Sequence, residues 1–458
     1  MDMETVDILR FLLHRDVESV IAQPFQIQKV LNSSFGGLEE ESEKLRKSMS
    51  VGGSDEFKAQ FSKDSEAEDD APIIKLVSKM IIDAYLLSAS DIHVEPMEKQ
   101  LVIRYRVDGV LRKMESPPKY LQSNIITRLK IMSNMDISEK RVPLDGRIQV
   151  KVQDKDLDLR VSSIPTTHGE SIVMRILDKA SIQLDIPKLG FYTDDQEKID
   201  RILAMPEGVF LVTGPTGSGK TTSLYAFLNT INTPTRKIIT VEDPVEYQLS
   251  GINQVQVNPL VKMTFANALR AMMRQAPNII MVGEIRDFET ADIAINASLT
   301  GHLVFSTLHT NDAPSAVTRL IDMGVPPFLV ASSVRAIMAQ RLVRRVCKNC
   351  AAPYTPTPEE IRIMHLSEDY ISSSMLMKGR GCADCGYTGY KGRMGLYEIF
   401  LLSEEIQHLI YNKEAASVIR EAARKSGMRT LREDGLRKAA AGTTTLEEVL
   451  AITIGDEN

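Results

Sequence analysis

The apolar run Val209-Phe-Leu-Val-Thr213 leads directly into Gly214-Pro-Thr-Gly-Ser-Gly-Lys-Thr-Thr222, and this junction restricts the available folds more than any other feature. The spacing G-x4-G-K-T is a phosphate-binding P-loop when a buried strand turns into a helix at that point. Glycines let the backbone curl so that successive N–H groups face phosphate oxygens, and the helix N-terminus adds favourable potential. Gly214, Pro215, Thr216, Gly217, Ser218, Gly219, Lys220, Thr221 and Thr222 therefore form the candidate cradle. Lys220 is expected to reach the outer phosphates of ATP, and the Thr221 hydroxyl to ligate Mg2+.

Three further apolar runs, at 238–241, 279–282 and 303–306, alternate with helical stretches. That alternation predicts α/β architecture, a mostly parallel sheet with helices on its faces. Ligands of open α/β sheets bind outside the carboxyl ends of the strands. Each run ends in polar chemistry there: Glu242-Asp243, Glu284 and His309. Glu284 closes a Walker B segment and is expected at Mg2+ or its waters, the plain alternative being a solvated strand end. Glu242 is expected to end the strand beside the P-loop strand and to polarise the attacking water; alternatively, Glu242 and Asp243 merely cap a turn. Neutral imidazole can contact a γ-phosphate, a role proposed for His309 at the strand end and, as a further candidate, for His302 on the other flank of that strand.

Cys347-x-x-Cys350 and Cys382-x-x-Cys385 are two knuckles suited to a structural, tetrahedral Zn2+ with no open position. Between them a helical excursion is expected over 358–377. The basic cluster Arg341-Leu-Val-Arg-Arg345 reads as a solvated helix face or an intersubunit salt-bridge surface rather than a nucleic-acid contact.

Charge is uneven along the chain. Residues 37–70 hold eleven acidic against five basic side chains, which equals the formal net charge of −6 for all 458 residues. The balanced remainder lacks the basic bias of nucleic-acid binding. The acidic start has no secretory-signal layout, and no apolar run approaches the roughly 20 residues that span a bilayer. A cytosolic protein that meets a membrane only through partners is expected. The predicted organisation is a short N-terminal remnant or arm (1–36), an acidic flexible linker (37–70), an α+β domain (71–180) and a connection (181–190). An ATPase domain (191–345), the tetracysteine element (346–395) and a C-terminal helical region (396–458) follow. Within the α+β domain, alternating strands flank an Asp108-Gly109 hairpin turn.

From about residue 71 onward the chain resembles the assembly-type traffic ATPases, the type II secretion ATPase and its type IV pilus assembly relatives. The resemblance rests on Ser90-Asp-Ile-His-Val-Glu-Pro96, Arg141-Val-Pro-Leu-Asp-Gly-Arg147, the P-loop and Glu242-Asp-Pro-Val-Glu246. Gly283-Glu-Ile-Arg-Asp287, the His box at 301–312 and the tetracysteine element complete it. It implies a homo-hexameric ring of RecA-like P-loop cores, each preceded by a PAS-like α+β domain, at the cytoplasmic face of a bacterial inner membrane. The implied partners are an inner-membrane platform protein and a cytoplasmic recruiter. It also implies that Arg160 and Arg175 are paired phosphate contacts of the preceding domain, where guanidinium charge can meet the γ-phosphoryl group.

Two departures stand out: Ala276 and Asn278 replace acids usual in the family, and segment 5–36 matches only the end of the usual recruitment domain. The implied function is a motor that assembles a pilus or a secretion pseudopilus. The His-Gly-Glu at 168–170 leans toward secretion. A retraction or DNA-uptake motor is the alternative within the superfamily, although retraction motors lack the tetracysteine insertion. A RecA-like helicase or strand-exchange protein is the alternative of another class, disfavoured by the missing aromatic stacking residues. A non-catalytic nucleotide-gated scaffold fits poorly with intact Lys220, Thr221, Glu242 and Glu284.

Overall fold

The computed structural model describes residues 71–152, 155–178 and 185–454, together with Gln26; apart from that residue, the expected N-terminal remnant and acidic linker lie outside the described residues. The chain divides into two units between Asp178 and Lys179. Among the described residues, no helix is long and apolar enough to cross a membrane.

In the first unit, helix α1 (Ala71–Leu86) precedes β1 (Ala89–Pro96), β2 (Leu101–Val107) and β3 (Val110–Lys113). Helix α2 (Gln122–Met132) and strands β4 (Leu144–Val152), β5 (Lys155–Thr166) and β6 (Gly169–Asp178) follow. Asp108 and Gly109 take φ of 51° and 87° at the β2–β3 turn, as a primed hairpin turn requires. The described strands form one antiparallel sheet in the order β3-β2-β1-β6-β5-β4. Ile73, Val77 and Ile81 of α1 and Ile125 and Leu129 of α2 bury against Ile92, Ile103, Leu159 and Met174. Because strand side chains alternate faces, the residues next to these point away from the helices. Strand register lines up Arg147, Arg160, Arg175, Asp91 and Arg106 as one row across β4, β5, β6, β1 and β2 on that other face.

The second unit begins its sheet with β7 (Gly208–Thr213) after helix α3 (Thr193–Leu203). Then come α4 (Lys220–Ile231), β8 (Ile238–Glu242), β9 (Asn253–Gln256), α5 (Phe265–Met273), β10 (Ile279–Val282), α6 (Phe288–Leu299) and β11 (Leu303–Leu308). Helices α7 (Pro314–Asp322) and α8 (Pro327–Ser333) lead to the long β12 (Val334–Val346). The described sheet has the order β15-β12-β7-β11-β10-β8-β9, where β15 is Tyr390–Leu401. It is parallel throughout except for antiparallel β15. Val209 and Leu211 enter one apolar cluster while Phe210 and Val212 enter another, so both faces are covered, as a continuous apolar run demands.

Three expectations change. Strand β8 is not beside β7: β11 and β10 lie between, because the chain crosses outward and then fills inward, an order that residue pattern alone does not encode. The basic cluster 341–345 lies on strand β12, not on a helix; its Arg and Leu content favours helix, and pairing with β15 overrides that preference. Strand β15 runs across the expected boundary at 395/396 into the ATPase sheet.

The cysteine pairs sit around a small hairpin of β13 (Ala351–Pro353) and β14 (Met377–Gly379), with short helices Pro358–Met364 and Glu368–Ser373 between the strands. Helices α9 (Glu404–Tyr411), α10 (Ala416–Lys425), α11 (Leu431–Ala440) and α12 (Leu446–Thr453) follow β15. Helix α11 is fastened by a buried ion pair: Lys438 donates to Asp434 at 2.6 Å and to the Gly395 carbonyl at 2.7 Å, while Asp434 accepts from the Tyr397 amide at 2.9 Å.

Candidate active site

The P-loop closes in the way its glycines permit. Gly214, Gly217 and Gly219 have φ of 148°, 79° and 87°, backbone that side-chain-bearing residues rarely adopt. A Cβ on Gly214 would meet the Gln340 carbonyl at 2.5 Å and Ser218 Oγ at 2.7 Å, and one on Gly219 would meet Gln340 Nε2 at 2.8 Å. Helix α4 then starts at Lys220 with its free N–H groups at the loop. Lys220 Nζ folds back onto the carbonyls of Gly214 and Pro215, at 2.7 and 3.0 Å. Burial, together with the charge of Arg341, lowers the Lys220 ammonium to about 8, against the opposing pull of Glu284. Ser218 Oγ is buried without a hydrogen-bond partner. A cramped cation and an orphaned hydroxyl in one cradle fit a polyphosphate, which supplies both the missing negative charge and the missing acceptor.

Neighbouring strand ends complete this edge. Thr213 Oγ1 accepts from the Thr310 amide at 2.9 Å, fastening the base of the P-loop to the segment after β11. His309 Nε2 lies 3.5 Å from Glu284 Oε2, and Arg286 Nη2 lies 2.5 Å from Glu284 Oε1. Thr307 Oγ1 donates to the Gly283 carbonyl at 2.7 Å. One strand further out, the Gly283 amide donates to the Val241 carbonyl at 2.8 Å, so Glu242 and Glu284 emerge at adjacent strand ends. Glu242 is 3% exposed, while Asp243 is exposed. The Glu242 carboxylate accepts from Tyr225 Oη of α4, from Thr240 Oγ1 at 2.5 Å and from Gln254 Nε2 at 3.1 Å.

Lys220, Glu284 and His309 thus share one edge, with Glu242 beside them. His302 does not join them. It precedes β11 at the opposite edge, where Nδ1 lies 2.8 Å from the Ala297 carbonyl at the end of α6. A strand of six residues separates the two histidines, and only His309 stands at its carboxyl end, where ligands of such sheets bind.

Arg160 and Arg175 are direct cross-strand partners in the first unit. Arg175 Nε donates to Asp91 at 3.1 Å, Arg106 Nε lies 3.3 Å from the other oxygen of Asp91, and Arg147 pairs with Asp158. Asp91 and Asp158 are buried, so the guanidiniums are held from behind by fixed carboxylates. Strand register was the signal that could have exposed Arg147, Asp91 and Asp158. Sequence reasoning also missed Arg341, whose Nη2 donates to the Asn311 carbonyl at 2.8 Å, and Gln340, which accepts from Ser223 Oγ at 2.8 Å.

The four cysteines are free thiols with their Sγ atoms within 4.8 Å of one another, close enough to hold a metal ion. Cys385 Sγ accepts from the amides of Cys382 and Gly389 at 3.2 and 3.3 Å. Burial raises that thiol, but these donors outweigh burial and bring it down to about 7.

Comparison with known proteins gives the family of the chain. The family described as type II/IV secretion system protein matches residues 66–451. Type II secretion system protein E of Pseudomonas aeruginosa is 50% identical over 388 residues, 85% of this chain and 77% of that protein. Type II secretion system ATPase E of Vibrio cholerae is 49% identical over 388 residues, 85% of this chain and 76% of that one. The type IV pilus assembly ATPase PilB of Thermus thermophilus is 50% identical over 386 residues, 84% of this chain and 43% of that protein. Among solved structures, the ATPase DotB of Legionella pneumophila shares the fold with a TM-score of 0.61 at 21% identity, over 83% of this chain and 95% of that one. The pilus retraction motor PilT with bound ADP gives 0.56 at 25% identity, over 83% and 98%. The chain therefore belongs to the type II/IV secretion system protein family, in its group of type II secretion and type IV pilus assembly ATPases.

Proposed function

We propose that the chain works as a homo-hexameric motor that hydrolyses ATP to assemble a pilus or a type II secretion pseudopilus. The observation that carries this reading is the meeting of P-loop, Glu284 and His309 at one strand edge, with Glu242 emerging beside them. Residues 214–222 would hold the polyphosphate through backbone N–H groups, the Ser218 hydroxyl and Lys220. Thr221 and Glu284 would hold Mg2+, which when bound offsets charge on the phosphate oxygens. Glu242 orients the water that attacks the γ-phosphorus, and the bond to the bridging oxygen breaks to leave ADP and phosphate. His309 senses the γ-phosphate beside Glu284, Asp243 borders the site, and Arg160 and Arg175 bring guanidinium charge to a phosphoryl group.

Cys347, Cys350, Cys382 and Cys385 would hold a structural Zn2+. A tetrahedral ion with bonds of about 2.3 Å spaces its sulfurs about 3.8 Å apart, and separations of 3.8, 3.9 and 3.8 Å agree with that. We assign the motor to the cytoplasmic face of a bacterial inner membrane, docked to a platform protein and a cytoplasmic recruiter and without direct nucleic-acid contact. Its working parts are the PAS-like segment 71–180, the ATPase core from 191, the cysteine element and the C-terminal helices.

The test measures native mass and ATPase rate of the purified chain with and without the cytoplasmic domains of a platform protein and a recruiter. A hexamer whose rate rises on their addition supports the reading. A chain that stays monomeric and hydrolyses ATP indifferently to both overturns it. Metal analysis should return about one zinc per chain, bound by thiolates.

A further inference from the structure

Glu242 does not stand at its strand end as a free carboxylate. Tyr225, fully buried on α4, donates its phenol to Oε2, while Thr240 and Gln254 donate to Oε1. A carboxylate offers about four lone-pair sites; these three donors leave one, on Oε2, to receive a proton from water. Gln254 is itself pinned, since its Nε2 also donates to the Tyr247 carbonyl at 2.9 Å and its Oε1 accepts from the Leu249 amide at 2.7 Å. Gln254 Nε2 also lies 3.4 Å from Tyr225 Oη. Burial, with the neighbouring Glu242 charge next in weight, raises the Tyr225 phenol above its ordinary value, so it stays a donor at working pH.

Helix α4 is the same helix whose first residues, Lys220 and Thr221, form the phosphate end of the P-loop. Tyr225 lies five residues on, about 7.5 Å along the axis at 1.5 Å per residue. One rigid element therefore touches the phosphate cradle at its start and the Glu242 carboxylate just over a turn later.

We propose that Tyr225, seconded by Gln254, is a positioning residue of the ATPase reaction: it fixes the Glu242 carboxylate relative to the P-loop helix and so sets the line of the attacking water. This rests on reading Glu242 as the group that orients that water. Hydrogen bonds to charged groups contribute about 1.5–3 kcal/mol, which translates to roughly 10- to 100-fold in rate.

The experiment compares Y225F, Q254L, E242Q and Y225F/E242Q in the full chain, with ADP affinity and melting temperature recorded alongside turnover. Y225F keeps the ring, and therefore the packing, while removing the donor. The expected result is a kcat lowered about 10- to 100-fold with KM for ATP and ADP affinity within about twofold of the parent. Q254L should shift kcat the same way by less, and Y225F should add nothing to E242Q. An unchanged kcat in Y225F, a loss confined to KM, or full additivity with E242Q overturns the proposal while leaving Glu242 in its role. Full turnover by E242Q removes that role and this inference with it.

Discussion

The P-loop and the arginine row both gather hydrogen-bond donors and positive charge, and they are built on opposite plans. The P-loop draws its potential from the backbone: glycines at positive φ, amides at the start of α4 and a single lysine folded onto carbonyls. The row on the first unit draws its potential from side-chain charge. Arg147, Arg160, Arg175 and Arg106 stand on neighbouring strands, with Asp91 and Asp158 buried behind them. The backbone donors of the cradle are fixed by the chain path, and only Lys220 and Ser218 add side-chain groups to them. A row of guanidiniums can be tuned one carboxylate at a time, and its exposed members are screened by salt. The proposed roles of cradle and row can therefore be tested separately.

The hardest blow to that contrast is Lys220→Ala, which should abolish ADP binding in an equilibrium titration; retained binding would mean that the cradle is not where the phosphates sit. E242Q should keep ADP affinity while turnover falls about 10²- to 10⁴-fold, the range of general acid–base contributions. Arg175→Gln should lower kcat about 10³-fold, at the low end of arginine contributions to phosphoryl transfer. If ADP affinity collapses along with kcat in that variant, the division between cradle and row fails. Asp91→Asn is the finer probe. It leaves every arginine present but loosens Arg175 and Arg106, so kcat should drop about tenfold, the lower bound for a charged hydrogen bond. Smallest of all, raising salt from 0.05 to 0.3 M should cut kcat about twofold more in the parent than in Arg175→Gln, as screening acts on exposed charge. Equal salt responses would say that the row carries no electrostatic role.

Much of this was legible because the chemistry is contiguous. The P-loop and the strand ends carrying Glu242, Glu284 and His309 each lie within a few residues of a recognisable apolar run, and the paired cysteines stand out by their own spacing. What stayed hidden depends on strand order and register. Whether Glu242 neighbours β7 or lies beyond β10, whether residues 341–345 pair as strand, and which arginine stands opposite which are decided by contacts between distant segments. Tyr225 and Gln254 belong to no recognisable motif, and only the folded sheet brings both to the same carboxylate. His302 shows the converse error, in which closeness along the chain suggested a site that a whole strand separates.

Strand β12 has a practical consequence. Its middle carries Gln340 and Arg341 against the P-loop, and the first cysteine pair begins one residue after its end. At about 3.3 Å per residue, six residues carry Arg341 to Cys347 over roughly 20 Å of continuous backbone. Conditions that oxidise or strip those thiols would loosen the outer end of the lath on which the nucleotide site leans. Disturbance at the cysteine cluster would therefore be felt, along one continuous strand, where Gln340 and Arg341 meet the P-loop.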